Sequence, residues 1–185
     1  RIREAVRAAL WPAVAVHERI IGIIAEALPD VIVAGDSAEP VYAVNQVFEP
    51  ARPRSFFNSS TGFGTLGYGL PAAIGAGLAA PDRPVVCLVG DGGLQFSLPE
   101  LAAAVEARVP VIVLVWNNHG YGEIKTYMRD KGIAEIGVDI HTPDLVAAAQ
   151  AMGCAAQRLD GVEALREAVL AAATRAAPTL LELRP

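Results

Sequence analysis

The chain has 185 residues, 53% of them hydrophobic, with 15 Lys and Arg against 20 Asp and Glu for a formal net charge of −5. That length predicts a single domain with a sizeable core. The acidic balance offers no basic field for nucleic acid, and Pro, Gly or charge interrupts every apolar run before it could span a bilayer, so neither nucleic acid nor a membrane is expected as a partner.

Two cysteines, Cys87 and Cys154, are too few for a disulfide framework. Both are expected to be buried, as in a reducing, cytoplasmic compartment. No signal peptide is visible, and the chain starts at Arg1 without an initiator Met, so a fragment or a processed product is expected. The high apolar content is read as buried parallel strands, Ala-rich helices and an interface with another domain.

Residues 1–14 are expected to be a linker or the tail of a preceding domain, with Trp11-Pro12 closing a charged lead-in, and residues 15–185 to be one domain. Apolar positions at helical spacing (Val16, Ile20, Ile23, Ile24, Ala27) predict a helix over 15–28. A buried strand over 31–34 exits through Gly35-Asp36-Ser37, and a helix over 39–48 tolerates Pro40 in its first turn. A short strand is expected over 55–58. The glycine-rich loop over 59–69 leads into a helix over 70–80 that Pro71 opens. Further on, a strand over 85–89, a helix over 97–107 and a strand over 111–116 are expected. A polar helix or ordered loop to Lys131 follows, then an irregular stretch through Asp139. A helix over 143–152 has Thr142 placed to cap it, and strands over 155–159 and 179–183 bracket a helix over 162–176. Six candidate strands alternating with helices predict a three-layer α/β/α fold with a mostly parallel six-stranded sheet.

The chemistry gathers in Val85 to Gly122, VVCLVGDGGLQFSLPELAAAVEARVPVIVLVWNNHGYG. Two short apolar runs flank one helix, the pattern of a βαβ unit. Its crossover returns both strands pointing the same way, so Asp91 and Asn118 become neighbours at the strand ends, where open α/β sheets bind ligands. A carboxylate and an amide among glycines suit Mg²⁺ shared with a phosphate. The plainer alternative is a tight turn at Gly90-Asp91-Gly92 and an Asn pair capping a helix.

The GDG and NN elements, with the text around them (GDGGLQFSLPELAAAVEARVPVIVLVWNNHGYGEI), resemble the signature of thiamine-diphosphate enzymes. The match is to the C-terminal, diphosphate-binding domain of the acetolactate synthase and benzoylformate decarboxylase family, over about residues 15–183. The resemblance implies thiamine diphosphate and Mg²⁺ as cofactors, with the metal held by Asp91, Asn118 and the carbonyl of Gly120. It implies that the Gly64 carbonyl meets the aminopyrimidine and that Leu66 is the apolar wedge that bends the cofactor; ordinary core packing is the other reading of Leu66. Gly90, Gly92 and Gly93 would line the diphosphate, Gly93 standing where relatives often carry Ser. Tyr121 and Gly122 would cover the diphosphate, and Ile124 would line the thiazolium pocket.

Ser37 belongs to a strand end that opens a helix, a place favourable to phosphate. The acidic Asp36 and Glu39 beside it depart from the family pattern; one of them is expected to cap the helix or to face substrate. His119 reads as an exposed loop residue, and His17 and His141 as surface or capping residues.

The implied activity is decarboxylation of a small 2-oxo acid, or its condensation with a second carbonyl compound. The family's activating Glu comes from a separate pyrimidine-binding domain, and no residue here matches it. No catalytic residue is therefore assigned, and the isolated chain is expected to be inactive. A pyrimidine-binding domain of the same or another chain is the expected partner, in a homo-oligomer. Two alternatives stand beside this reading. One is a domain that binds cofactor without catalysis. The other is an NAD-dependent dehydrogenase, because Gly62-Phe63-Gly64-Thr65-Leu66-Gly67 fits G-x-G-x-x-G with an acid at the end of the next strand. No Walker lysine, zinc cluster or nucleophile elbow is present.

Overall fold

The computed structural model describes residues 10–185, so the lead-in expected over 1–14 lies mostly outside the described residues. The chain runs α1 (Val14–Ala27), β1 (Ile32–Gly35), α2 (Glu39–Val47), β2 (Phe56–Asn58), α3 (Gly69–Ala79) and β3 (Val85–Gly90). It continues with α4 (Asp91–Gln95), α5 (Glu100–Glu106), β4 (Ile112–Trp116), α6 (Gly122–Asp130) and α7 (Leu145–Ala151). The last elements are β5 (Ala155–Arg158), a 3₁₀ turn (Val162–Ala164), α8 (Leu165–Ala173) and β6 (Thr179–Leu183). All six strands pair in parallel in the order β2-β1-β3-β4-β6-β5.

Strands this apolar belong where both faces are covered, and the side chains alternate accordingly. Val86 and Leu88 of β3 and Ile112 and Leu114 of β4 pack against Ile20 and Ile24 of α1, Val41 and Val44 of α2, and Leu165 and Val169 of α8. On the opposite face, Val85, Cys87, Val113 and Val115 meet Leu70 and Ile74 of α3, Leu101 and Ala104 of α5, and Leu145 and Ala149 of α7. Cys87 and Cys154 are free, buried thiols, and burial pushes both thiols up from their ordinary range.

Four local expectations are corrected. The helix expected over 97–107 is shorter, Glu100–Glu106, starting after Pro99, and a separate short helix, α4 (Asp91–Gln95), which was not expected, opens directly from β3. Thr142 does not cap α7; the helix starts two residues later, where Asp144 accepts from the N–H groups of Val146 and Ala147, both at 3.1 Å. The helix expected over 162–176 is the 3₁₀ turn followed by α8, which ends at Ala173 before Thr174 bonds back to the Ala171 carbonyl at 2.8 Å. His17 is not a surface residue. It is fully buried, three positions from both Val14 and Ile20 on the same apolar face, and packs edge-on against Trp116 with ring centroids 4.7 Å apart.

What the fold does for the site is set at β1. The chain leaves β1 to one side to make β2 and returns to the other side to make β3, so the connections diverge and leave a crevice at the carboxyl ends. Two outcomes check this account by chemical denaturation. Leu88→Ala, at a 1% exposed position in a central strand, should lower stability by about 2–5 kcal/mol. Asp144→Ala should cost about 1 kcal/mol through loss of the cap.

Candidate functional site

The ends of β1, β3 and β4 open on a cleft of about 680 Å³, counting its open mouth. In the β3–β4 register Gly90 pairs with Trp116, so the residues that follow, Asp91 and Asn117-Asn118, leave the sheet at the same level. Asp91 is fully buried at the first position of α4, and its Oδ2 accepts from the Thr142 hydroxyl at 2.7 Å. That contact leaves Oδ1 to face the Asn118 side chain.

One end of the Asn118 amide lies 2.9 Å from the Gly120 carbonyl oxygen and 3.2 Å from Asp91 Oδ1. With its NH₂ at that end, the amide donates to both oxygens. A half-turn about the last side-chain bond puts the amide oxygen there instead, and three oxygens then face one point. Edges of this length are what a hard divalent ion requires: metal–oxygen bonds of 2.0–2.1 Å in an octahedron set neighbouring oxygens about 2.9–3.0 Å apart. The set holds one carboxylate, one amide and one carbonyl, so three positions would be left for phosphate oxygens and water. This donor set fits Mg²⁺ better than zinc, which favours nitrogen and sulfur.

The segment after α6 holds this loop down. Val138 accepts the Tyr121 N–H at 2.9 Å, and Gly120 pairs with Asp139 in an isolated antiparallel bridge. Asp139 and Glu135 are in turn paired with Lys125 of α6. The Tyr121 ring fills the space over Gly92, where an added Cβ would come 2.7 Å from the ring. His119 is exposed and adopts the left-handed conformation, with φ of 61°.

Ser37, Gly64 and Leu66 line the same cleft as Gly90, Gly92, Gly93 and Asn118. Gly120, Tyr121, Gly122 and Ile124 complete that wall. The residues singled out from the sequence are therefore together. Asp91 stands behind the lining and reaches the site through Oδ1. The sequence reasoning missed Tyr42, Trp116 and Glu123, which also line the cleft, and the support from Thr142. Nothing local could have flagged Thr142: it lies 51 residues downstream of Asp91.

Neither acid near β1 caps α2. Asp36 is fully buried and does not face the cleft. Its Oδ1 accepts the Ser37 N–H and its Oδ2 the Gly67 N–H, each at 2.8 Å, which ties the glycine-rich loop to β1. Burial raises its carboxyl above the usual range despite these donors. The same carboxylate explains Gly93, since a Cβ there would lie 2.9 Å from Asp36 Oδ2. Glu39 does line the cleft, but its carboxylate is drawn aside, 3.3 Å from His17 Nε2 and accepting from Trp116 Nε1 at 3.1 Å. His17 foremost, with Trp116, holds the Glu39 carboxyl below its usual range against the effect of burial.

Among the described residues, no Lys or Arg lines the cleft. Positive potential comes from backbone instead: α2, α4 and α6 all begin at this edge and turn the positive ends of their dipoles toward it, although in α2 Pro40 has no N–H and Val41 and Tyr42 donate to the Ala38 carbonyl. Such a cleft suits a diphosphate better than it suits a free carboxylate. The dehydrogenase alternative fails here. The glycine-rich loop follows the edge strand β2 rather than the central strand, and Asp91 is committed to Asn118 and Thr142.

Comparison with known proteins agrees. Residues 36–183 match the family described as thiamine pyrophosphate enzyme, C-terminal TPP binding domain. A probable 2-ketoarginine decarboxylase of Pseudomonas aeruginosa is 42% identical over 186 residues, covering 100% of this chain and 33% of that protein. An acetolactate synthase large subunit of Parasynechococcus marenigrum is 30% identical over 169 residues, covering 90% of this chain and 27% of that protein. Among solved structures, a thiamine diphosphate-dependent 4-hydroxybenzoylformate decarboxylase of Rhodococcus jostii superposes with a TM-score of 0.81 at 29% identity, over 91% of this chain and 32% of that one. The chain thus spans about a third of the length of these relatives. It belongs to the thiamine pyrophosphate enzymes and is a C-terminal TPP-binding domain of the decarboxylase and acetolactate synthase kind.

Proposed function

We propose that this domain, spanning residues 15–185 with 1–14 as its lead-in, anchors thiamine diphosphate through Mg²⁺ in an enzyme that decarboxylates a small 2-oxo acid or condenses it with a second carbonyl. The observation that carries the proposal is that one end of the Asn118 amide lies within 3.2 Å of both Asp91 Oδ1 and the Gly120 carbonyl oxygen at the floor of the cleft. When bound, the cofactor supplies a carbon that takes up the electron pair released by decarboxylation.

The chain's own residues orient and shield. Asp91, Asn118 and the Gly120 carbonyl hold the metal, with Thr142 keeping Asp91 aimed at it. The free amides of Gly92, Gly93 and Gly122 face the diphosphate. Leu66, half-buried beside Gly93, and Ile124 present apolar surface to the rings. On the glycine-rich loop, Gly64 presents its carbonyl to the aminopyrimidine, and the Ser59 hydroxyl holds that loop by donating to the Thr65 carbonyl at 2.7 Å. None of these groups supplies the activating carboxylate. We therefore assign it to a pyrimidine-binding domain, in cis or from another chain of a homo-oligomer. In support, Phe63 is fully exposed beside Gly64, and Ile124 is 49% exposed on the cleft wall. Two free, buried thiols fit a cytoplasmic setting.

Titration calorimetry tests the anchoring. Thiamine diphosphate should bind only with Mg²⁺ present, and NAD⁺ should not bind. Asp91→Ala should weaken cofactor binding by at least about 100-fold, the upper end of what losing even an outer-shell partner costs. Binding that is indifferent to Mg²⁺ and to Asp91→Ala would refute the assignment. A second experiment separates a catalytic domain from one that merely retains cofactor. The isolated chain should release no CO₂ from 2-oxo acids, and adding a pyrimidine-binding domain should restore release. In that reconstituted system Leu66→Ala should keep cofactor affinity within a few-fold while lowering kcat by about 10²-fold, as expected when reacting atoms are misplaced by an ångström.

A further inference from the structure

The first asparagine of the pair faces away from the cleft. Asn117 is 1% exposed, and all three of its polar contacts lie behind the metal loop. Its backbone N–H donates to the Leu183 carbonyl at 2.8 Å, and its Nδ2 donates to Glu182 Oε1 at 2.6 Å. Its Oδ1 accepts the backbone N–H of His119 at 3.1 Å. Glu182 is itself a fully buried carboxylate in β6, a placement that is costly unless the charge is met.

It is met twice. Arg158 Nε, from the paired position on β5, donates to Oε2 at 2.9 Å, and Arg184 Nε donates to Oε1 at 2.9 Å. Burial by itself would raise the Glu182 carboxyl; the donors Asn117, Arg184 and Arg158 outweigh it and hold the group below its usual range. A charge fixed so firmly fixes Asn117 in turn. The group Asn117 then restrains is the N–H of His119, the one residue of the metal loop in a left-handed conformation without being glycine. Such a conformation is strained for a residue with a Cβ and persists only where the surroundings impose it.

We propose that Glu182 and Asn117 are positioning residues for the metal site. Glu182 clamps the Asn117 amide, Asn117 holds the His119 N–H, and that hold keeps the turn in which the Asn118 amide and the Gly120 carbonyl face Asp91. The proposal rests on the Mg²⁺-anchoring function above and adds to it residues that touch neither metal nor cofactor.

The test measures the Mg²⁺ concentration that half-saturates thiamine diphosphate binding to this chain, alongside the thermal midpoint without metal. Asn117→Ala should raise the Mg²⁺ requirement roughly 10- to 100-fold, the range for losing an outer partner of a ligand. Its thermal midpoint should change little, because Glu182 keeps both arginines. Asn117→Asp sets one carboxylate against another and should raise the requirement as well. Combining it with Glu182→Gln restores the hydrogen bond with donor and acceptor exchanged, leaves the net charge unchanged, and should return the requirement to within a few-fold of wild type. An Asn117→Ala chain with wild-type Mg²⁺ dependence overturns the proposal. So does a double variant no better than Asn117→Asp, or a metal requirement that merely follows the loss of thermal stability. If the wild-type chain itself shows no Mg²⁺ dependence, the anchoring function fails and takes the positioning role with it.

Discussion

One end of an amide held 2.9 Å from the Gly120 carbonyl and 3.2 Å from the Asp91 carboxylate is an arrangement that a protein does not hold without reason. Carboxylate, amide oxygen and carbonyl all present negative charge, and their mutual repulsion must be relieved by a donor or a cation. In the chain alone, the Asn118 NH₂ can do this by turning inward. That is a compact solution: one amide serves as internal donor in the chain alone and, on the proposed function, would serve as ligand with the metal bound. The rest of the architecture keeps the three groups at this spacing. Parallel pairing of β3 with β4 levels the strand ends, Thr142 fixes one Asp91 oxygen, and the Val138–Asp139 segment presses on the loop from outside.

The same economy governs the acids near β1. A carboxylate open to a bound diphosphate would oppose it, and the sequence places two there. Asp36 escapes the conflict by turning into the interior, where the Ser37 and Gly67 amides take both its oxygens. It thereby becomes the tie that holds the glycine-rich loop against β1, and it demands a glycine at position 93. Glu39 escapes by leaning on His17 and Trp116. Neither solution could be read from the motif, because both depend on partners supplied by other elements.

That division describes what was legible in the chain. Strand and helix order followed from apolar periodicity, and the nearness of Asp91 to Asn118 followed from βαβ topology, since both are properties of local pattern and chain handedness. His17 was legible in principle: it shares a helical face with Val14 and Ile20, and only its polarity argued for the surface. The helix starts were less so, because Asp144 and Thr142 are both good capping residues and the choice between them is made by what Asp91 needs 51 residues away. Glu182 was the least legible of all, for a charged residue inside an apolar strand has no local signal that tells a clamp from an error. Its meaning appears only when Arg158 and Asn117 arrive from other places in the chain to join Arg184, two residues on.

Charge balance gives the proposed divalent ion its reason. Among the described residues the cleft has no Lys or Arg in its lining, and its helix ends contribute at most about half a charge each. That falls short of an incoming group with roughly two or more negative charges. Asp91 adds one more negative charge at the floor, and Glu39 and Glu123 remain on the walls. Burial foremost, with the nearby charge of Glu39, pushes the Glu123 carboxyl above its usual range. On the proposed function, backbone dipoles alone would leave the bound state short of positive charge, and a divalent ion at Asp91, Asn118 and Gly120 would make up the difference. On this accounting, the positioning of Asn118 and Gly120 matters as much as the identity of the ligands, because a metal held loosely would return the whole deficit to the diphosphate.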